Sequence, residues 1–194
     1  MFAAAQTVSE DRVAFTTVEA PWMVSLDGSH LEIREQEVKR DNQSGYFLLY
    51  NEKDNLTVSL FIEPAVKCKT SDECRDLVLK TGNPKWGKIE DVVKSKIGDF
   101  SYFEFFRPTV QNQPLQMLDM YAEYVADGYW VDLHISKVLY KKADHLLFEN
   151  LVNQSGLFRK LESQQPIPIN PSKRLRTRRK PECFYGTPAI FRKL

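Results

Sequence analysis

The sequence predicts an α+β fold, a mainly antiparallel sheet with two helices packed on one face. Three observations carry this expectation. First, Asp127-Gly128 separates two alternating runs, Gln116–Ala126 and Tyr129–Val138. A type I′ turn needs that residue pair, because both central residues take positive φ. Second, the chain orders itself as strands, helix, four strands, helix, with each plausible strand pairing made through a short turn. Third, Thr70–Thr81 and Ala143–Ser155 switch from a two-residue period to a helical one.

Taken in order, Arg12–Thr17 alternates weakly, Trp22–Leu26 follows Pro21 as a short strand, and Leu31 with Ile33 marks a strand near His30–Val38. Gly45–Asn51 and Leu56–Glu63 form a hairpin around Glu52–Asn55. In its second strand Leu56, Val58, Leu60 and Ile62 share the packed face, and Thr57, Ser59, Phe61 and Glu63 share a more exposed one. Thr70 with Glu73 three residues on is a capping box opening a helix that ends near Gly82, with Cys74, Leu77 and Val78 at helical spacing. Trp86 pins the Asn83–Gly87 turn to the body. Ile89–Ile97 and Phe100–Arg107 pair through Gly98-Asp99, which suits a type II′ turn. The aromatic strand puts Phe100, Tyr102 and Phe106 on one face and Phe103 and Phe105 on the other, so both faces are covered; Glu104 then needs a basic partner. Leu147, Phe148, Leu151 and Val152 are the buried stripe of the second helix, Gly156 stops it, and Leu157-Phe158 adds a short extended piece.

The two-residue turn fixes the register of the last hairpin. Ala126, Tyr124, Ala122 and Met120 face Tyr129, Val131, Leu133 and Ile135 on an apolar side. The other side sets Val125 opposite Trp130, Glu123 opposite Asp132, Tyr121 opposite His134, and Asp119 opposite Ser136. Like charges directly opposite one another destabilise a ribbon unless they are solvated, neutralised or bridged by a cation.

At 194 residues, 42% hydrophobic and 12% aromatic, the chain suits one packed domain with appendages. The net charge of +1 hides an asymmetry: residues 161–194 hold eight basic against two acidic side chains, and residues 1–160 hold 19 basic against 24 acidic. No apolar run approaches the roughly 18 residues of a membrane span. Met1–Gln6 resembles the end of a secretory signal, a plain Ala-rich start being the alternative. Cys68 and Cys74 bracket a loop-to-helix junction and are expected to form a local disulfide, which persists only in an oxidising compartment. These features predict export to a periplasmic or secreted location, with a cytoplasmic protein bearing free thiols as the alternative. The expected organisation is a signal-peptide remnant or disordered start (1–10), one α+β domain (11–160), a Pro-rich linker (161–172) and a basic, disordered tail (173–194).

The element order, Pro21-Trp22, the Phe61-Ile62-Glu63 strand end and the Asp144-x3-Phe148-x2-Leu151-Val152 helix followed by Leu157-Phe158 resemble the PsbP-like superfamily over roughly residues 12–160. The resemblance implies an antiparallel sheet flanked by helices, and a binding or accessory role more often than catalysis. It carries over no functional residue, and neither the Cys68–Cys74 segment nor the basic tail belongs to the pattern. Fold alone does not establish function.

Candidate sites follow from the hairpin. Asp119, Glu123 and Asp132 supply hard oxygen ligands suited to Ca²⁺ or Mn²⁺, with His134 able to join for Mn²⁺. Tyr121, Trp130 and His134 beside them suit a ligand or protein contact. The bland alternative is a solvated sheet face with Lys94, Lys96 or Arg107 as counter-charges. Nucleophile, Walker and dinucleotide motifs are absent, and the three Asn-x-Ser/Thr sequons at Asn42, Asn55 and Asn153 carry no weight without a glycosylating host. Lys173–Lys180 is basic enough for an anionic surface but has no periodicity for base readout, so a nucleic-acid role is not expected. The expected function is an exported, non-catalytic accessory or binding domain contacting an unknown protein or small ligand through one sheet face. The alternative is a metal-dependent or hydrolase-like enzyme using Glu123, Asp132 and His134.

Overall fold

Asp127 and Gly128 both take positive φ, 49° and 78°, and the strands on either side pair in the expected register from Ala126↔Tyr129 to Asp119↔Ser136. In the computed structural model, which describes residues 6–9, 12–17, 20–27, 30–39, 41, 43–83, 86–87, 89–109 and 113–159, this hairpin is the middle of a larger sheet. The strands are β1 (Gln6–Ser9), β2 (Arg12–Phe15), β3 (Trp22–Asp27), β4 (Glu32–Lys39), β5 (Ser44–Asn51), β6 (Leu56–Pro64), β7 (Glu90–Ile97), β8 (Phe100–Arg107), β9 (Met117–Ala126), β10 (Tyr129–Lys137) and β11 (Gly156–Arg159). The helices are α1 (Ser71–Thr81) and α2 (His145–Gln154). The expected linker, 161–172, the expected tail, 173–194, and the first five residues lie outside the described residues.

The strands form two antiparallel sheets: seven strands in the order β4-β5-β6-β10-β9-β8-β7, and four in the order β1-β2-β3-β11. The small sheet lays Phe15, Trp22, Val24 and Leu26 against Phe47, Leu49, Leu60, Met120, Ala122, Val131 and Leu133 of the large one, and α2 closes this core with Phe148 and Val152. Full burial of each such large side chain stabilises by roughly 1.5–3 kcal/mol. Gly45 sits in a tight spot; a Cβ there would stand 3.1 Å from the Phe47 ring and 3.2 Å from the Thr17 methyl. β1 lies inside residues 1–10, which the sequence left outside the domain, and pairs with β2.

The opposite face of the large sheet carries a second set of rings, and it is α1 that covers them. Cys74, Leu77 and Val78 pack with Trp130, Val125 and Ala65, and Trp86 with Phe103 and Phe105. The α+β class stands, but the two helices lie on opposite faces of the large sheet rather than on one. The physical reason is that this sheet is apolar on both sides, so each side needs its own cover.

Thr70 caps α1, its hydroxyl accepting from the Glu73 N–H at 3.2 Å, while the Glu73 carboxylate accepts from the Lys69 N–H at 2.7 Å, one residue earlier than a capping box requires. Cys68 and Cys74 are buried at disulfide distance, with Cα atoms 5.1 Å apart, tying the loop after β6 to the first turn of α1. A 3₁₀ turn (Lys142–Asp144) precedes α2, and Ser155, not Gly156, ends it, its N–H donating to the Leu151 carbonyl at 3.0 Å. Gly156 instead begins β11. Among the described residues no helix is long and apolar enough to cross a membrane.

Candidate functional site

Because cross-strand neighbours share a face, the ladder pairs define rows of side chains across all seven strands. One row on the α1 side reads Glu37, Tyr46, Phe61, Asp132, Glu123, Ser101, Lys96. The next reads Glu35, Leu48, Ser59, His134, Tyr121, Phe103, Lys94. α1 packs over β8 and β9, where its Asp72 accepts from Lys96 at 2.7 Å and from Ser101 at 2.9 Å, and its Asp76 accepts from Lys94 at 3.1 Å. The β8–β9 part of the face is therefore covered. The β4–β6 half leaves Tyr46, Leu48 and Tyr50 half-buried and Phe61 37% exposed.

The six hairpin residues divide into two groups. Asp119 is fully buried; it accepts from Arg107 Nε at 2.7 Å through one oxygen and faces His134 Nε2 at 3.0 Å through the other. The His134 ring stacks on Tyr121 at 4.1 Å and 9°, Tyr121 stacks on Phe103 at 5.1 Å and 3°, and Trp86 donates its indole N–H to the Tyr121 hydroxyl at 3.1 Å. Burial, reinforced by Asp119 and Asp132, pushes the Tyr121 phenol far above its ordinary value. These residues form an inner network beside Trp86, in which Tyr121 is a half-buried stacking partner.

Glu123 and Asp132 behave differently. Glu123 is fully buried, and only its Oε2 is satisfied, by the Trp130 indole at 2.6 Å. Glu123 Oε1 and Asp132 Oδ1 are buried and accept no hydrogen bond. Burial, with Asp132 opposite, raises the Glu123 carboxyl well above its usual range. Asp132 is raised from 3.8 to about 6, by burial first, with His134 opposing and Glu63 adding to the rise. Beside this pair a cleft of about 220 Å³ opens, lined by Phe61, Glu63, Trp130 and Asp132.

The structure does not gather Asp119, Glu123 and Asp132 into one ligand set, and among the described residues no three His, Cys, Asp or Glu side chains are placed to hold a metal. Asp119 is occupied by Arg107 and His134, which were expected as counter-charge and ligand. Ser59 Oγ lies 3.4 Å from His134 Nδ1, completing a Ser–His–Asp chain with Asp119. Acyl transfer also needs free N–H donors for an oxyanion. Ser59 sits mid-strand between β5 and β10, where its neighbours' N–H groups are committed to the ladders. Glu104 finds His145 at 2.9 Å rather than a Lys. Phe61 and Glu63 were legible only as residues of an exposed face; their pairing with Asp132 and Trp130 was not.

No protein-family model and no curated protein matches the chain. In structure it is similar to cyanobacterial PsbP (CyanoP) from Synechocystis sp. PCC 6803, solved in solution, with a TM-score of 0.52 and 7% identity over 80% of this chain and 98% of that one. A crystal structure from Bacteroides thetaiotaomicron VPI-5482 matches at a TM-score of 0.43 and 14% identity, over 72% of this chain and 46% of that one. The fold is PsbP-like, as the sequence resemblance implied. At 7% identity the likeness concerns the fold.

Proposed function

We propose that this chain is a non-catalytic accessory domain of an exported protein, contacting its partner through the uncovered β4–β6 half of the large sheet. The observation that carries this is the uneven covering of one apolar face. α1 and Trp86 shield the rings of β8 and β9, whereas on β5 and β6 Leu48 stays half-buried and Phe61 37% exposed. Tyr46 and Phe61 pack with ring centroids 4.6 Å apart and planes tilted by 38°, an aromatic pair of the kind enriched at interfaces. Export is supported by the buried Cys68–Cys74 pair at disulfide distance.

The test is affinity isolation from the source's own extract with the native chain, Phe61→Glu, and a control, Leu146→Glu, on the exposed side of α2, where Leu146 is 63% exposed. Partners held by the native chain and the control but lost by Phe61→Glu support the assignment. Partners retained equally by all three variants refute it.

A further inference from the structure

We propose that the cleft between β6 and β10 receives one arginine or lysine side chain from a basic peptide segment, seated between two carboxylates and two aromatic rings. This rests on the sheet-face assignment above and names the chemistry of its partner.

The alternation of the strands builds the cleft. Phe61 pairs with Asp132 and Glu63 with Trp130, so ring and carboxylate alternate around its four sides. Each carboxylate has a ring opposite it and a ring beside it along its own strand. A guanidinium or ammonium group placed there meets π faces and negative oxygens together, the combination in which a desolvated cation gains most. A metal ion is the poorer fit: Ca²⁺ takes 6–8 oxygen ligands, and two of the four lining side chains offer none. The volume points the same way. About 220 Å³ is below the roughly 300–1,000 Å³ of small-molecule and cofactor pockets and suits a single side chain.

The cleft also has a standing electrostatic vacancy. Asp132 Oδ1 is buried without a hydrogen-bond partner, and so is Oε1 of its cross-strand neighbour Glu123. Among the described residues, none that lines the cleft is basic. Among the described cations of this face, Arg107 is engaged on Asp119, Lys94 on Asp76, Lys96 on Asp72 and Lys69 on the Ala65 carbonyl. Trp130 is held in place by its bond to Glu123, so its ring wall is fixed before anything binds. Beyond the cleft the face continues through Phe61 and Tyr46 to Glu37, which Lys39 faces at 3.6 Å, and one row further to Glu35.

The probe is a blocked hexapeptide of alternating arginine and glycine, titrated into the full 194-residue chain at two salt concentrations. The readout is the NMR shift of the Trp130 indole N–H, assigned with Trp130→Phe. A matching glutamate peptide is the control. Saturable shifts at the Trp130 indole and at the Phe61–Glu63 amides are expected with the arginine peptide alone. Asp132→Asn and Glu63→Gln should each weaken binding by roughly tenfold or more, as removing one of two desolvated counter-charges does. Absence of shift, shifts spread over all acidic surface without saturation, or affinity unchanged from the native chain in both variants would overturn the proposal. Loss of partner capture by Phe61→Glu without arginine-peptide binding removes this inference and leaves the sheet-face assignment standing.

Discussion

Asp132→Asn is expected to stabilise the protein more at pH 8 than at pH 4, relative to the native chain. The native carboxyl is raised from 3.8 to about 6, chiefly by burial. The native state therefore binds this proton more tightly than the unfolded chain. Linkage fixes the sign: stability is fullest below pH 3.8, falls as pH rises toward 6, and stays lowered above that. At about 1.36 kcal/mol per tenfold change in proton affinity, the penalty is on the order of 3 kcal/mol at pH 8 and under about 1 kcal/mol at pH 4. Asparagine cannot ionise, so the variant escapes it. Its carboxamide brings a buried-polar cost of about 1–3 kcal/mol, but that cost is the same at both pH values. The double difference, variant against native and pH 8 against pH 4, isolates the charge. At roughly 2–4 °C per kcal/mol for a domain of this size, the variant's Tm should gain about 5–10 °C more at pH 8 than at pH 4. Glu123 adds in the same direction, because removing the Asp132 charge relieves one of the causes of its own raised value. Thermal melts by circular dichroism at the two pH values suffice. A Tm change of equal size at both would refute the assignment of an ionised, half-buried Asp132.

Arg107→Ala leaves the fully buried Asp119 with His134 as its remaining partner and should cost roughly 3–5 kcal/mol in urea unfolding, whereas Arg107→Met combined with Asp119→Leu should recover most of that loss. Thr70→Ala removes the hydroxyl that caps α1 and should cost about 1 kcal/mol, read as a shift in the urea midpoint without change in slope. Reduction of the Cys68–Cys74 pair, or Cys68→Ser with Cys74→Ser, opens a loop of sequence separation 6 and should lower stability by about 2 kcal/mol; a melt unchanged by reductant would show that the thiols are not joined.

Local signals carried most of the fold. Asp127-Gly128 specified its turn and thereby nine consecutive cross-strand pairs, and Thr70 marked the start of α1, because these features are set by backbone sterics and by hydrogen bonds within a few residues. What escaped was long-range. β6 pairs with β10 across α1 and three strands, and β11 returns to β3 from the far end of the chain, with no turn to announce either pairing. The second sheet and the separation of the helices onto opposite faces both follow from those pairings. The candidate site divides the same way. Glu123 and Asp132 were visible as an opposed pair because their hairpin is local, but the solvated face expected around them is covered by α1 and Trp86. Phe61 and Glu63, the other half of the cleft, come from β6 and enter through the long-range pairing.

The opposed carboxylates are the part of the structure that folding alone does not explain. Arg107, His134 and Asp119 satisfy one another, and a sheet built on that pattern alone would be more stable than this one. Glu123 and Asp132 instead share a buried strand pair with an unpartnered oxygen on each, lowering stability at neutral pH. Local instability retained beside a cleft is characteristic of binding sites, where the missing partner comes from the ligand. The two roles make opposite demands on one substitution. If Asp132 is merely a poorly packed residue, Asp132→Asn raises stability and leaves arginine-peptide affinity unchanged. If it is the seat of a cation, the same variant gains stability and loses affinity together, and the arginine peptide raises the Tm of the native chain more than that of the variant. Melts of both proteins at pH 8, with and without the peptide, decide between them.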